Sequence, residues 1–182
     1  MFFDIQRFAA INEFASNLTN YEVYHTGNRY IGLATIDLPE FSAITTDLSG
    51  AGLAGDFSMP SPGMFEDMEV TLHWHAVNND LTFLLGHRDH ELTLMGSQNV
   101  YDSGRGEFRA QPVKIFLRGV PHKMTLGKLE RASETESETT LGIDYIKITI
   151  DGKEVVEYDK FNFVFRTNGE DFLAGTRTAI GR

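Results

Sequence analysis

The chain has 182 residues, of which 41% are hydrophobic and 12% aromatic, a formal net charge of −10 and no cysteine. This length suits one domain with a substantial buried core. Without cysteine the chain has no disulfide framework and no thiolate chemistry, and its acidic balance argues against a surface that binds nucleic acid by neutralising phosphates. Asp4 and Arg7 interrupt the apolar N-terminus, and no stretch approaches the ~20 apolar residues of a membrane helix. We therefore expect neither a signal peptide nor membrane anchoring by this chain.

The first residues form a segment of their own. Apolar side chains recur there at every third position, the spacing of one stripe of a short helix; they are Phe2, Ile5, Phe8, Ile11 and Phe14. We predict an N-terminal arm over residues 1–20, either docked as a helix or mobile, and a β domain over residues 21–182. From Tyr21 onward, β-branched and aromatic residues flank Gly27 and Asn28, so a first hairpin is predicted.

A glycine- and proline-rich region follows a strand predicted from Phe41 to Leu48. It runs from Ser49 to Met64, and its density of glycine and proline argues against a regular core element. Loops of this length in compact domains are usually functional or flexible. The first part, SGAGLAG, lacks the lysine and the strand-to-helix context of a phosphate-binding loop, so no nucleotide site is predicted.

The segment from Glu66 to Val77 has the clearest strand pattern. One face is apolar and consists of Met68, Val70, Leu72, Trp74 and Ala76. Trp74 is expected to be a core anchor. The opposite face carries His73 and His75.

A short helix is predicted from Asp80 to Leu85, because Asn78 supplies a capping side chain and Gly86 ends the helix. Strands are predicted at residues 91–95, 98–101 and 108–120, the last with Pro112 at an edge or a bulge.

The second half of the chain begins with an acidic stretch and continues into a hairpin. The stretch, Glu130 to Thr140, is expected to be a solvated loop or a segment ordered by contacts. Between Ile143 and Phe165, β-branched and aromatic residues surround Asp151-Gly152, a pair that suits a type I′ turn. The residues of this hairpin that we expect to matter are Tyr145, Ile148, Asp151, Gly152, Val155, Phe161 and Phe163. A further tight turn is predicted at Asn168-Gly169. The fold class is therefore mainly β, an antiparallel sandwich or barrel with one short flanking helix.

Catalytic signatures are weak in this sequence. His73 and His75, two residues apart on a strand, point the same way and could share a metal ion, with His87, Asp89 and His90 as nearby ligands. The alternative is that both histidines face solvent or another subunit. There is no nucleophile elbow and no Walker-type loop, so we expect no enzyme and no cofactor. A small β-barrel metalloprotein remains the alternative from a different functional class.

Three stretches carry a family resemblance. They are DGKEVVEYDKFNFVFRTNGEDFLAGTRTAIGR from Asp151 to Arg182, SGAGLAG from Ser49 to Gly55, and RGVPHKMTLGKLERASETESE from Arg118 to Glu138. In order and spacing they resemble the major tail tube proteins of contractile-tailed phages and of R-type phage-tail-like bacteriocins. The first twenty residues match poorly.

The resemblance implies a structural subunit of the inner tube of a contractile tail, in which hexameric rings stack around a channel for DNA or other cargo. It implies a β-sandwich or barrel whose exposed edges pair between copies, and a tail particle assembled in the bacterial host cytoplasm. The implied partners are further copies of the chain, the sheath, the baseplate initiator, the tape measure protein, the tail terminator and DNA in transit. The tube of another contractile injection or secretion machine is the alternative. An acidic channel wall, expected from the net charge, would let DNA slide rather than bind.

The resemblance also suggests roles for particular residues. It implies a subunit-contact loop made of Ser49, Gly50, Ala51, Gly52, Leu53, Ala54 and Gly55, and places the hairpin around Asp151-Gly152 in the core or the channel sheet.

Overall fold

The computed structural model describes residues 13–26, 29–32, 35–50 and 54–182. The strands are β1 (Glu13–His25), β2 (Arg29–Ile31), β3 (Thr35–Asp37), β4 (Ala43–Leu48), β5 (Phe57–Phe65), β6 (Met68–Trp74), β7 (His90–Asp102), β8 (Glu107–Thr125), β9 (Ser137–Ile150), β10 (Lys153–Asp159), β11 (Val164–Thr167) and β12 (Glu170–Asp171), and the helices are α1 (Asn79–Phe83) and α2 (Ala174–Ala179). Among these described segments, no helix is long and apolar enough to cross a membrane.

Ten strands form one antiparallel sheet. Its order is β12-β11-β10-β9-β8-β7-β1-β2, with β6 and β3 attached beside β9. β9 occupies the centre because β8 pairs with one of its edges over residues 138–150, whereas β6 and β10 share the other edge over 137–143 and 145–150. One strand therefore connects both halves of the sheet, which pack over a common core. β4 and β5 form a separate two-stranded sheet. The predicted antiparallel β fold is confirmed.

The turn between β9 and β10 is the one that its sequence predicts. Asp151 and Gly152 have φ of 51° and 75°, the two positive values that a type I′ turn requires. The turn at Asn168-Gly169, with φ of 50° and 87°, joins β11 to β12 in the same way. The predicted continuation of the second hairpin strand through Phe161 and Phe163 is wrong, since residues 160–163 form a turn before β11 and Phe161 is 65% exposed.

The core lies on the apolar face of β6 and the strands opposite it. Met68, Val70 and Leu72 are buried, and Trp74 is 1% exposed, so the predicted alternation and the core anchor are confirmed. The Trp74 Nε1–H donates to Oγ1 of Thr139 at 3.1 Å, which satisfies the indole in an otherwise apolar setting. Leu81 of α1 and Leu84 at its C-cap cover the same core, and the N-cap Asn78 accepts from the Leu81 backbone N–H at 2.9 Å, as its sequence predicts.

A histidine pair is buried beside α1. His90 Nε2 lies 3.0 Å from the Gly86 carbonyl oxygen and therefore carries the proton, because that oxygen only accepts. His90 Nδ1 then accepts from Nε2 of His25 at 2.9 Å. The Phe83 ring packs edge-on against both imidazoles. The pair and the Phe83 ring thus join β1, β7 and α1.

Three sequence-based predictions differ from the structure. The N-terminal helix prediction is wrong at Phe14, which lies in β1 because long-range pairing with β7 overrides the local spacing. The other positions of that stripe, Phe2, Ile5, Phe8 and Ile11, lie outside the described residues. The strands predicted at 91–95 and 98–101 are the single strand β7, and α2 near the C-terminus was not predicted.

Two polar or irregular stretches also contain strands. β5 includes Pro60, Pro62 and Gly63; among the described residues it pairs with β4 alone, so a proline facing its open side loses no ladder hydrogen bond.

The acidic stretch is a loop only up to residue 136, because β9 begins at Ser137. The side chains of Ser137 and Thr139 are buried there between β6 and β8, with their hydroxyls hydrogen-bonded. Pro112 lies just beyond Val113, the last β8 partner of β9, which confirms its edge position.

Replacing Trp74 with alanine is expected to lower the free energy of unfolding by ~3–5 kcal/mol, because it leaves a core cavity and an unpaired Thr139 hydroxyl. Urea denaturation followed by circular dichroism measures the change. Phe161→Ala is the matched control: this aromatic side chain is exposed, so its loss should change stability by less than about 0.5 kcal/mol. Equal effects of the two substitutions would contradict the assignment.

The histidine pair predicts a pH dependence of stability. Burial, followed by His90, Arg29 and Arg88, lowers the pKa of His25 below 6.5, and Asp80 opposes this in part. The unfolded chain therefore binds a proton that the folded chain does not, so the free energy of unfolding should fall as the pH falls from 6.5 toward the lowered folded pKa. Denaturation at about pH 8 and about pH 5.5 measures this. His25→Gln should be less stable near pH 8 and depend less on pH; an unchanged pH dependence would contradict the assignment.

Candidate assembly surface

The ribbon, defined as β4 and β5, stands apart from the main sheet. Its strands pair from Ala43↔Phe65 to Leu48↔Phe57, and most of its residues are exposed. An isolated two-stranded hairpin is at best marginally stable in water. The ribbon therefore depends on contacts at its root or on a partner.

One face of the ribbon is apolar. Leu48 is paired directly with Phe57, and Met59 lies two residues further along β5, so the three side chains share one face. Phe57 is 53% exposed and Met59 is 48% exposed. Contiguous exposed apolar surface of this kind marks an interaction site in a well-folded protein.

The root of the ribbon is packed against the body by aromatic rings. The Phe65 ring lies 4.9 Å from that of Phe165, 5.3 Å from that of Tyr158 and 5.4 Å from that of Phe41, all edge-on. The Glu66 backbone N–H donates to the Ser42 carbonyl oxygen at 2.8 Å. The ribbon is thus fixed at its base, whereas its apolar face is free to meet another molecule.

The main sheet presents a second surface. Strand register places successive residues of β1, β7, β8, β9 and β10 in rows, and alternate rows face away from the core. Three successive outward rows are Tyr24, Thr93, Phe116, Lys147 and Glu157; Glu22, Met95, Lys114, Thr149 and Glu154; and Asn20, Ser97 and Pro112. We call these rows the polar face. It holds three carboxylates and two lysines, so its charge is nearly balanced although the whole chain is acidic.

Ion pairs and hydrogen bonds hold the charged residues of the polar face in place. Lys147 Nζ pairs with Glu154, which raises the pKa of the lysine. The Tyr145 hydroxyl donates to Glu157 Oε1 at 2.9 Å, and burial together with this bond raises the pKa of Tyr145 to about 12. The Lys147 contact also lowers the pKa of Glu154, so the Lys147–Glu154 pair stays ionised across the physiological pH range.

The main sheet has open edges on opposite sides. β2 pairs with β1 only over residues 23–25, so among the described residues the outer edge of β1 from Glu13 to Asn20 has no strand partner. On the other side, β9 reaches only Val113 of β8, which leaves residues 107–111 of β8 open in the described part of the chain. Glu13 and Glu107 lie in one row through Asp102, so the two open edges stand at the same level of the sheet. Open edges of this kind are templates for pairing with another chain.

The predicted subunit-contact loop lies at the outer end of the ribbon. Ser49, Gly50, Ala54 and Gly55 are exposed there, and Ala51, Gly52 and Leu53 lie outside the described residues. The hairpin residues divide between the two faces of the sheet: Tyr145 lies in the outward row next to the polar face, whereas Ile148 is on the core face. Val155 lies at a register shift of β10. Asp151 and Gly152 lie beside the open edge of β8, where Arg109 Nη1 contacts Asp151 Oδ2 at 3.1 Å.

The histidines of the metal hypothesis do not converge. His73 Nε2 lies 2.9 Å from Asp37 Oδ2, and His75 Nδ1 lies 2.9 Å from Glu134 Oε1. His90 is paired with His25 in the interior. Within the described residues, no group of three or more potential ligands is placed to hold a metal ion.

Sequence reasoning missed the two strongest features of this surface. The ribbon strand β5 was hidden by its prolines and glycine, although Phe57 and Met59 alternate with polar residues as an amphipathic strand requires. The open edge of β1 was hidden because residues 13–20 were assigned to an arm.

The comparisons with known proteins agree with this architecture. The family model described as phage tail tube protein FII matches residues 15–181. The chain belongs to this tail tube family. It is thus a tail tube subunit of a contractile tail system, as its sequence predicts.

Two phage proteins are similar to this chain over most of its length. The chain is 28% identical to the tail tube protein of Escherichia phage P2 over 166 residues, covering 87% of this chain and 93% of the relative. It is 20% identical to the major tail tube protein of Serratia phage KSP20 over 152 residues, covering 83% and 86%.

The solved structures are parts of an extracellular contractile injection system, PVC, in its extended state. The sheath/tube terminator has a TM-score of 0.54 at 14% identity and covers 75% of this chain and 97% of that chain. A chain of the sheath-tube complex has a TM-score of 0.50 at 15% identity and covers 71% and 87%. At these identities the likeness concerns the fold.

Proposed function

We propose that six copies of this chain close into a ring and that the rings stack into the hollow inner tube of a contractile tail. The single observation that carries the proposal is a tail tube fold whose described part leaves sheet edges open on opposite sides. A rotation that brings the β1 edge of one copy to the β8 and β10 margin of the next continues the sheet, and repetition of that rotation closes a ring.

The polar face is the surface of the sheet that suits a channel wall. It lies opposite the core, and Asn20, Ser97 and Thr149 give it neutral hydrogen-bonding groups. Because its charge is nearly balanced, it neither concentrates cations strongly nor binds phosphates as a basic groove does. DNA or another elongated cargo is expected to pass without being held. The acidic channel predicted from net charge is thereby replaced, in this proposal, by a nearly neutral one.

The ribbon supplies the contact between neighbouring copies. Burial of the Phe57 and Met59 side chains contributes about 1.5–3 kcal/mol each, and the exposed residues Ser49, Gly50, Ala54 and Gly55 extend the contact at the ribbon's end. This contact repeats at every subunit, so a modest energy for each copy stabilises a long tube.

The remaining partners follow from the tail tube role. The relatives named above come from phages, and the solved neighbours come from sheath-tube assemblies, which supports a surrounding sheath. A baseplate initiator, a tape measure protein and a terminator are proposed from the same role, with assembly in the host cytoplasm and no catalytic activity. The tube of a contractile injection machine other than a phage is the second candidate, favoured by the fold of the PVC chains.

The double substitution Phe57→Ser with Met59→Ser tests the proposal. The variant is expected to keep the melting temperature of the wild-type monomer but to form at least roughly tenfold fewer tubes, since each 1.4 kcal/mol lost is a factor of ten. Sedimentation measures the yield, and negative-stain micrographs are expected to show hollow tubes with sixfold end views for the wild type.

The matched control is Leu126→Ser with Leu129→Ser, which removes two exposed leucines outside the ribbon. This control should form normal tubes. Wild-type protein that stays monomeric even with an initiator complex, or normal tubes from the ribbon variant, would contradict the proposal.

A further inference from the structure

The C-terminal segment is in close contact with the ribbon. Gly63 lies in β5 near the root with φ of +67°, and a Cβ placed on it would lie 2.7–2.9 Å from Cγ, Cδ1 and Cδ2 of Leu173. Leu173 is 5% exposed. Its side chain therefore fills the space that any larger residue at position 63 would need.

Leu173 is held in place by the carboxylate of Asp171. The Leu173 backbone N–H donates to Asp171 Oδ1 at 3.1 Å, and Arg177 donates to the same carboxylate through Nη1 at 3.2 Å and Nη2 at 2.5 Å. Arg177 Nη1 also donates to the Phe163 carbonyl oxygen at 2.7 Å. Such a fork of two hydrogen bonds fixes both partners. Arg177 is the largest cause of a lowered pKa at Asp171, about 2, so the carboxylate stays ionised throughout the physiological range.

The contact adds a second point of support for the ribbon. Phe65 packs on Tyr158 and Phe165, and Gly63 packs on Leu173 two residues nearer the ribbon's end. A strand held at one point can swing about it, whereas a strand held at two points has a fixed direction. The Leu173 contact is the second point.

We propose that Asp171, Leu173 and Arg177 are positioning residues, which we call the C-terminal clamp, and that they fix the direction in which the ribbon reaches a neighbouring copy. That this direction brings the ribbon to a neighbouring copy rests on the proposed tube function. The direction itself is a property of the single subunit and is measured on it.

The chain has no cysteine, so spin labels attach only at cysteines introduced for the distance measurement. Spin labels on Asp56→Cys, at the outer end of the ribbon, and on Lys123→Cys, in β8, report the distance between ribbon and body by pulsed electron paramagnetic resonance. The labelled subunit with an intact clamp is expected to give one narrow distance distribution. Adding Leu173→Ala or Arg177→Ala should broaden it and, without the labels, reduce tube yield by roughly tenfold. Arg177→Lys should restore part of both, because it keeps the charge but not the fork.

Arg182→Ala is the matched control for the arginine. Arg182 donates to the Phe161 carbonyl oxygen and lies over the Phe163 ring, so it belongs to the same C-terminal segment. Its loss is expected to leave both the distance distribution and the tube yield unchanged.

A second pair of variants approaches the contact from the ribbon. Gly63→Ala collides with Leu173, whereas Gly106→Ala has nearly the same backbone cost, with φ of +71°, and no atom within 4 Å. Only Gly63→Ala is expected to broaden the distribution, and adding Leu173→Ala to it should not broaden it further. If Leu173→Ala lowers the stability of the whole subunit, the comparison of Gly63→Ala with Gly106→Ala still tests whether the Gly63–Leu173 contact fixes the ribbon.

Narrow distributions and wild-type tube yields in Leu173→Ala, Arg177→Ala and Gly63→Ala would overturn the clamp. Broadened distributions with unchanged tube yields would show that the clamp fixes the ribbon but not assembly, which also overturns the proposal. If unlabelled wild-type protein forms no tubes, the proposed function fails, and the distance measurement still confirms or rejects the fixed direction.

Discussion

Backbone pairing at β9 is the constraint on which the rest of the fold depends. This strand pairs with β8 along nearly its whole length and divides its other edge between β6 and β10. Because one half pairs with β6, the wall that carries Trp74 is attached to it. Because the other half pairs with β10, the hairpin, the aromatic root of the ribbon and the C-terminal clamp are all attached to the same strand. Any change that shifts the register of β9 would move the core and the assembly surface together.

The sequence predicts this strand well where its signals are local. Asp151-Gly152 specifies a turn through the two positive φ values that it tolerates, and the alternation around Trp74 specifies a half-buried strand. The beginning of β9 could not be predicted, since Ser137 and Thr139 are polar and become buried only when β6 and β8 lie on either side. Their hydroxyls are satisfied by Leu126 and Trp74, which are distant in sequence. Hydrogen bonds to residues outside the local segment leave no pattern in the local sequence from which a buried strand could be predicted.

The assembly surface also has one part that the sequence predicts and one part that it does not. The loop from Ser49 to Gly55 was singled out by its glycines and by family resemblance, and the structure places its described residues at the outer end of the ribbon. The ribbon itself was not foreseen, because Pro60, Pro62 and Gly63 indicate a break in any strand that has two neighbours. A strand with a single described partner tolerates them, and Gly63 is needed for the contact with Leu173. What looked like irregularity in sequence is a requirement of packing between segments more than a hundred residues apart.

An open strand edge is a hazard unless it accepts only the intended partner. The exposed edge of β1 carries two irregularities in its pairing with β7, one between Ala15 and Asn17 and one between Leu18 and Asn20. Each irregularity twists the strand and interrupts the even spacing of its free N–H and C=O groups. A flat strand from an unrelated chain then matches only a few of these groups in succession, whereas a copy of the same chain presents an edge shaped by the same sheet. The bulges therefore disfavour pairing of the β1 edge with strands of unrelated chains, whereas in the proposed ring this edge meets the β8 and β10 margin of another copy.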